Sequence, residues 1–448
     1  MVEGRDDRAA EPFELMQYFY RRSHDPLIRC RIDLPAHIDV SLLKRALEVS
    51  TTAAPLVFCV FDEDRGVWAK QECDANDAVS LVDVNLANEH LANEHRASGD
   101  HISGDQVSED NPPSLESALL QSLDHHAGPR LRICVMRGGE KDTLCIIVDH
   151  MICDGAGFKA YLYLLAGIYS AMENGSDGRN LVDGYPTRRD FGQVSQNIGF
   201  MRKLGIVFAG ASAPSENPEM RLSLQGDAKD ARLARAIMSP ADFIRIRAYA
   251  KSRMATVNDL LLTAYARTLR NRTGCCDIVL PCPVDLRRYG KAGQRFGFCN
   301  LTSNYFCHLE MRRDAPFDET LSAVSAQMKA QKESDACLKG PLLLHALARV
   351  VSRRRLEHVF FKAAGVPVVS FTNLGVMDED RLAFGAIKPE SAFFATALKR
   401  PPSFQLSVST FQDACTMTSS LYANEDDFKR VESFLEEIKS ELVVASTR

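Results

Sequence analysis

The segment VDHMICDGAG, residues 148–157, places an imidazole, His150, four residues before a carboxylate, Asp154, and follows that carboxylate with Gly155 and Gly157. An imidazole with its ordinary pKa of about 6.5 is neutral near pH 7 and suits general-base work. The accompanying carboxylate either joins the histidine on a metal or fixes the backbone that carries it. A metal site at this i, i+4 spacing works on a continuous helix. The two glycines argue for a turn instead, and no third ligand accompanies the pair, so no metal is expected. At average residue usage His-x3-Asp-Gly arises by accident in roughly one protein of this length in thirty. Alone, the pattern barely outweighs the bland alternative of a buried histidine satisfied by its neighbours.

The setting sharpens it. DTLCIIVDHM is apolar almost throughout and reads as an interior strand, paired through a turn at Arg137–Lys141 with LRICVMRGG. After the motif, Phe158, Tyr161, Leu162, Leu165, Ile168, Tyr169 and Met172 recur at helical spacing. Upstream, Leu42, Leu43, Ala46 and Leu47 make a helix stripe with Asp39 or Ser41 as cap, and PLVFCVFDED and GVWAKQE read as a hairpin. Residues 174–232 have weak periodicity. Ser239-Pro240 then opens a helix, and a second follows Thr256. DIVLPCPVDLR reads as a strand that breaks at its prolines. PVVSFTNLG, SFQLSVSTFQD and ACTMTSSLYA read as strands before a last helix, EDDFKRVESFLEEIKSELV. Strands and helices are interspersed in both halves, so the class is mixed α/β.

The chain has 448 residues, 45% hydrophobic and 25% charged, with net charge −5. That balance carries no footprint for nucleic acid and no general attraction to membranes. The N-terminus lacks a signal-peptide h-region, and no apolar run approaches a membrane span. Thirteen cysteines without a C-x-x-C pair read as reduced, mostly buried thiols of a cytoplasmic protein. Arg353, Arg354 and Arg355 read as a solvated helix face. A tandem LANEH at residues 86–95 is too short for a repeat fold. His90, His95 and His101 around it read as loop histidines and not as a metal site.

The motif and the segments beyond it resemble the condensation-domain superfamily of acyltransferases, which includes chloramphenicol acetyltransferase and the BAHD enzymes. His150, Asp154 and Gly155 match its His-x3-Asp-Gly signature. ATVNDLLLTAYARTLRNRTGCCDIVLPCPVDLRR is similar to its helix-strand segment ending in Pro-Val-x-x-Arg, FGFCNLTSNYF to the segment after it, and VVSFTNLG to the Ser-Asn-Leu-Gly-type strand of free-standing members. SLLKRALEVSTTAAPLV resembles the opening helix and strand, so the likeness runs in order over roughly residues 13–440. Two departures stand out. Asp149 occupies the place of a first histidine in many members, and the BAHD Asp-Phe-Gly-Trp-Gly motif is absent.

The resemblance implies two chloramphenicol-acetyltransferase-like lobes in a V, with a tunnel at their junction. The lobes are expected over residues 1–175 and 236–448, with 176–235 as connector. It further implies that His150 is the general base for transfer of an acyl group from a thioester to an alcohol or amine. The donor is acyl-coenzyme A or a carrier protein acting in trans, with no covalent cofactor. Asp154 is expected to form a bidentate pair with Arg287 across the lobes, Arg288 being the weaker choice. The Gly155 amide, Ser370, Thr372 and Asn373 are candidates to hold the oxyanion or line the tunnel. Cys153 falls at a position without chemical role in the family. A monomer is expected, because two lobes supply the interface that single-lobe relatives gain by association. A non-catalytic binding module that keeps the fold is the second reading, to which Asp149 gives weight; a thioester hydrolase is a third.

Overall fold

The computed structural model describes residues 7–84, 114–209, 217–225, 229–364 and 367–447. The LANEH pair and His90, His95 and His101 lie outside the described residues. The architecture is mixed α/β with two cores, one in each lobe.

The first lobe is built on a five-stranded sheet in the order Ser391–Ala395, Leu27–Leu34, Lys141–Asp149, Leu131–Gly138, Val79–Asp83. Every pair is antiparallel except the last. Alternate residues Leu144, Ile146 and Val148 enter one core with the helices Val40–Ser50 and Gly155–Glu173. Cys145 on the opposite face packs with Ala118, Leu119 and Phe393. The strand that leads to His150 is therefore covered on both faces, which is why its sequence reads apolar throughout. Asp39 caps the first of these helices through the amides of Ser41 and Leu42.

The second lobe carries a four-stranded sheet, Val369–Met377, Phe404–Phe411, Ala414–Tyr422, Ala231–Met238. Against it pack the helices Pro240–Ser252, Val257–Thr273 and Glu425–Ser446. Ser239 caps the first, and Thr256 with Asp259 closes a capping box on the second. The stretch 176–235 holds more order than its periodicity suggests: a helix at Phe200–Phe208 and the start of the strand Ala231–Met238. Ser391–Ala395, in the stretch 236–448, leaves the second lobe and becomes the edge strand of the first sheet, paired with Leu27–Leu34. Among the described residues no helix is long and apolar enough to cross a membrane. All thirteen cysteines are free thiols, most of them buried, and Cys276 is exposed.

The strand Asp277–Asp285 does not break at its prolines as the sequence suggests. It runs unbroken and pairs antiparallel with Thr302–Glu310. Pro281 faces Phe306, whose backbone N–H and C=O are turned away to the Gln331 side chain. Val279 faces His308, which is held by Gln327 in the same manner. Odd-numbered positions of this strand are thus the non-hydrogen-bonded ones, and Pro281 and Pro283 forfeit no ladder bond. Val284→Pro, at a hydrogen-bonded position, is expected to lower stability in urea unfolding by about 1–3 kcal/mol. Pro283→Ala is expected to stay within about 1 kcal/mol of the parent.

Candidate functional site

His150 is the first residue past the strand Lys141–Asp149, and its backbone amide donates to the Pro26 carbonyl at 2.7 Å. The residue is partly exposed. Its Nδ1 lies 3.2 Å from Oδ1 of Asn300. The amide orientation of Asn300 is not free, because its Nδ2 donates to the carbonyls of His150 (2.9 Å) and Met151 (2.8 Å). Oδ1 must therefore face the ring, and Nδ1 must carry the proton. The lone pair is left on Nε2. Burial lowers the His150 pKa below its ordinary value; its own carbonyl, Asp154 and Asn300 oppose that shift without reversing it. The ring is accordingly neutral at pH 7.

Asp154, 1% exposed, is the N-cap of the helix Gly155–Glu173. Its Oδ1 accepts the Gly157 amide at 2.7 Å. Its Oδ2 accepts from Arg287 Nη1 (3.0 Å), the Leu301 amide (2.7 Å) and Thr302 Oγ1 (2.9 Å). Burial works against this charge, but Arg287 and the amide donors outweigh it and hold the pKa below the ordinary carboxylate range. Arg287 likewise has its pKa raised, as Asp154 and Asp285 overcome burial. The pair is not bidentate as expected. Only Nη1 reaches Asp154, because Nη2 is spent on the Cys299 carbonyl at 2.8 Å. Arg288 turns elsewhere, to the Tyr305 hydroxyl.

Gly155 and Gly157 both lie in the first helical turn, and neither has a positive φ. What they allow is close approach. A Cβ on Gly155 would meet Leu374 Cδ2 at 2.6 Å, and one on Gly157 would meet the Cys299 carbonyl at 3.0 Å. Cys153 is fully buried, and burial pushes its thiol pKa well above the usual value, so it packs as a small apolar residue.

Asp149 is matched by a buried arginine. Arg130 Nη1 lies 3.5 Å from its Oδ2, and both residues are 1% exposed. Arg130 Nη2 donates to the carbonyls of Asp124, Ala127 and Gly128, tying down the loop before its strand. His125, at 3.9 Å from Asp149, is too far for a hydrogen bond.

The strand Val369–Met377 brings Leu374 against Gly155, and Lys159 on the motif helix donates to the Leu374 carbonyl at 2.7 Å. Ser370 Oγ turns to the Phe404 carbonyl at 3.4 Å, and Thr372 pairs with Ser407 in the parallel ladder. Asn373 is exposed and donates to Asn258 Oδ1 at 3.3 Å. Among the described residues, the side-chain hydrogen bonds of Ser370 and Asn373 go to their own lobe and not to His150. The residues that meet the motif and were not singled out in the sequence are Asn300, Leu301, Thr302, Leu374 and Lys159. FGFCNLTSNYF pointed to the segment, but no spacing rule marks Asn300 within it.

Removing Arg287 leaves the Asp154 carboxylate buried with its charge unmatched. Arg287→Ala is expected to cost about 3–5 kcal/mol at pH 7 in urea or calorimetric unfolding. The Asp154 pKa is depressed by folding, so its contribution is present above the unfolded carboxylate pKa of about 3.9 and is lost as pH falls below it. The gap between parent and variant should therefore close below about pH 4.

No family model matches the chain. A nonribosomal peptide synthetase, kk1B of Curvularia clavata, is 25% identical over 315 residues, which is 64% of this chain and 2% of that synthetase. This chain thus corresponds to a small part of that relative. Among solved structures, polyketide synthase associated protein 5 from Mycobacterium tuberculosis superposes with a TM-score of 0.65 at 14% identity, covering 98% of this chain and 97% of that one. The first condensation domain of the calcium-dependent antibiotic synthetase gives 0.63 at 15%, covering 98% and 96%. TRI3, a trichothecene 15-O-acetyltransferase from Fusarium sporotrichioides, gives 0.65 at 13%, covering 98% and 95%. Over nearly its whole length, the chain has the two-lobed fold of these condensation-domain and acetyltransferase structures.

Proposed function

We propose that this protein is an acyltransferase that moves an acyl group from a thioester, carried by coenzyme A or by a carrier protein in trans, to an alcohol or amine. The observation that carries the reading is the clamp on His150. Asn300 leaves the ring one lone pair, on Nε2, and burial keeps it unprotonated. In the proposed step, Nε2 takes the proton of the acceptor hydroxyl or amine while its oxygen or nitrogen bonds to the thioester carbonyl carbon. The oxyanion collapses, the carbon–sulfur bond breaks, and the imidazolium returns the proton to the departing thiolate. Thiols ionise near pH 8.5, so the leaving group needs little help. The acylated acceptor and the free thiol are the products.

The superfamily fold supports this reading, as does the similarity to a peptide synthetase. Asp149 does not weigh against activity. Its charge is absorbed by Arg130, and the change leaves the Asp154–Arg287 contact in place. Ser370, Thr372 and the Gly155 amide remain candidates for the oxyanion, with Asn373 on the same strand.

A panel of acyl-coenzyme A donors, offered with alcohols and amines and followed with a thiol-reactive dye, is expected to show acceptor-dependent thiol release. His150→Ala should reduce it by about 10²–10⁴-fold. Thiol release unchanged in that variant, or none above background in the parent, overturns the reading. Release that needs no acceptor would make the protein a thioesterase. Because folding lowers the His150 pKa, the acid limb of the kcat/KM profile is expected below pH 6.5 or so. Asn300→Leu should lower kcat by less than His150→Ala does.

A further inference from the structure

The seam between the lobes holds a buried cation with no anion in contact among the described residues. Lys399 lies in the segment that returns the chain from Ser391–Ala395 to Phe404–Phe411, and it is 9% exposed. Its backbone is bridged to His24 of the first lobe and to Leu421 of the second. Several other buried charges are matched in pairs: Arg29 with Asp25, Arg130 with Asp149, Arg287 with Asp154, Arg189 with Glu14. Among the described residues, the Lys399 ammonium makes no hydrogen bond or ion pair. The carboxylate whose field reaches it, Asp25, is already held by Arg29 through both oxygens and by the Leu398 amide.

The other neighbours bring no negative charge. His24 is 8% exposed, and burial, with Lys399 and His150 close enough to add to it, drives its pKa well below the ordinary value. Ser23 Oγ donates to the Tyr20 carbonyl and so receives the His24 Nδ1 proton, 3.1 Å away. His24 is thus a neutral wall, not a competing cation. Lys399 is lowered only to about 8 and remains mainly protonated at pH 7. His24 stacks on Tyr20 at 5.5 Å, and Tyr20 meets the edges of Phe360 (5.2 Å) and Phe361 (6.5 Å). All three aromatic residues are partly exposed. The His150 amide is bonded to Pro26, two residues along from His24, so this wall continues toward the candidate base.

We propose that Lys399 is the anion-binding residue of a substrate subsite beside His150, which takes the carboxylate of an amphipathic ligand whose apolar body lies against Tyr20, Phe360 and Phe361. The ligand's part in acyl transfer rests on the function proposed above; the subsite itself rests on the placement of Lys399. A bound carboxylate supplies the counter-charge that the fold leaves out.

Isothermal titration of the full chain with octanoate and with octanamide tests the subsite without any turnover. The parent and Lys399→Arg are expected to favour octanoate by about tenfold or more, and Lys399→Met to bind the two alike. Lys399→Gln serves as a second neutral variant, with circular dichroism as the check on folding. His150→Ala should keep the preference. Equal binding by the parent, no binding of either probe, or a preference that survives in the neutral variants overturns the proposal. Two kinetic pairs locate the carboxylate in an enzyme that releases thiol: suberoyl- against octanoyl-coenzyme A, and 6-aminohexanoate against hexylamine as acceptor. An advantage lost in Lys399→Met places it on the donor in the first pair and on the acceptor in the second; no advantage in either pair overturns it. If no donor yields thiol with the parent, the acyl-transfer reading falls, and the titration still decides the subsite.

Discussion

A carboxylate buried to 1% exposure has to be matched where it lies, and for Asp154 most of the matching donors come from the far lobe. Arg287, the Leu301 amide and Thr302 reach it there, while the Gly157 amide completes the set from its own helix. Charge this deep is tolerated only with such donors in place. The lobes are thereby held in one register. The two glycines of the motif are part of the same constraint, since a side chain at Gly155 would displace the Leu374 side chain and one at Gly157 would crowd the Cys299 carbonyl.

The orientation of the candidate base belongs to the same device. Residues 299–302 are consecutive, and all four act on the motif. The Cys299 carbonyl takes the second arm of Arg287, Asn300 clamps the His150 ring, and Leu301 and Thr302 bind Asp154. A shift of that segment would move the ion pair and the imidazole together. Electrostatic register and preorganisation of the candidate base are therefore one property of the structure.

Asp149 shows how such a site accommodates a further buried carboxylate. A carboxylate would be costly at the end of a strand buried on both faces. Arg130 neutralises it and uses its remaining donors to fasten the preceding loop. Lys399 is the contrasting case at the same seam, a buried charge without an ion pair among the described residues.

Local chemistry was readable from the chain alone: the caps at Asp39 and Ser239, the helix start after Thr256, the two-faced apolar strand before His150, and the helix stripe after it. These depend on neighbours within a few residues, which the sequence displays directly. The motif itself and the place of Arg287 came from resemblance to a family. Other features stayed hidden because they depend on what lies opposite. Pro281 and Pro283 break nothing only because the partner register puts them at non-bonded positions. Ser391–Ala395 joins the first sheet because its pairing edge is there. Arg287 is single-armed toward Asp154 because the Cys299 carbonyl competes for its second nitrogen. Asn300 fixes a histidine tautomer 150 positions away in sequence. Residue types and short-range periodicity determined which elements form and which groups are able to do chemistry. Only tertiary structure decided which of those groups face one another, because hydrogen bonds and buried charges are satisfied by proximity in space, across separations in the chain that no local pattern records.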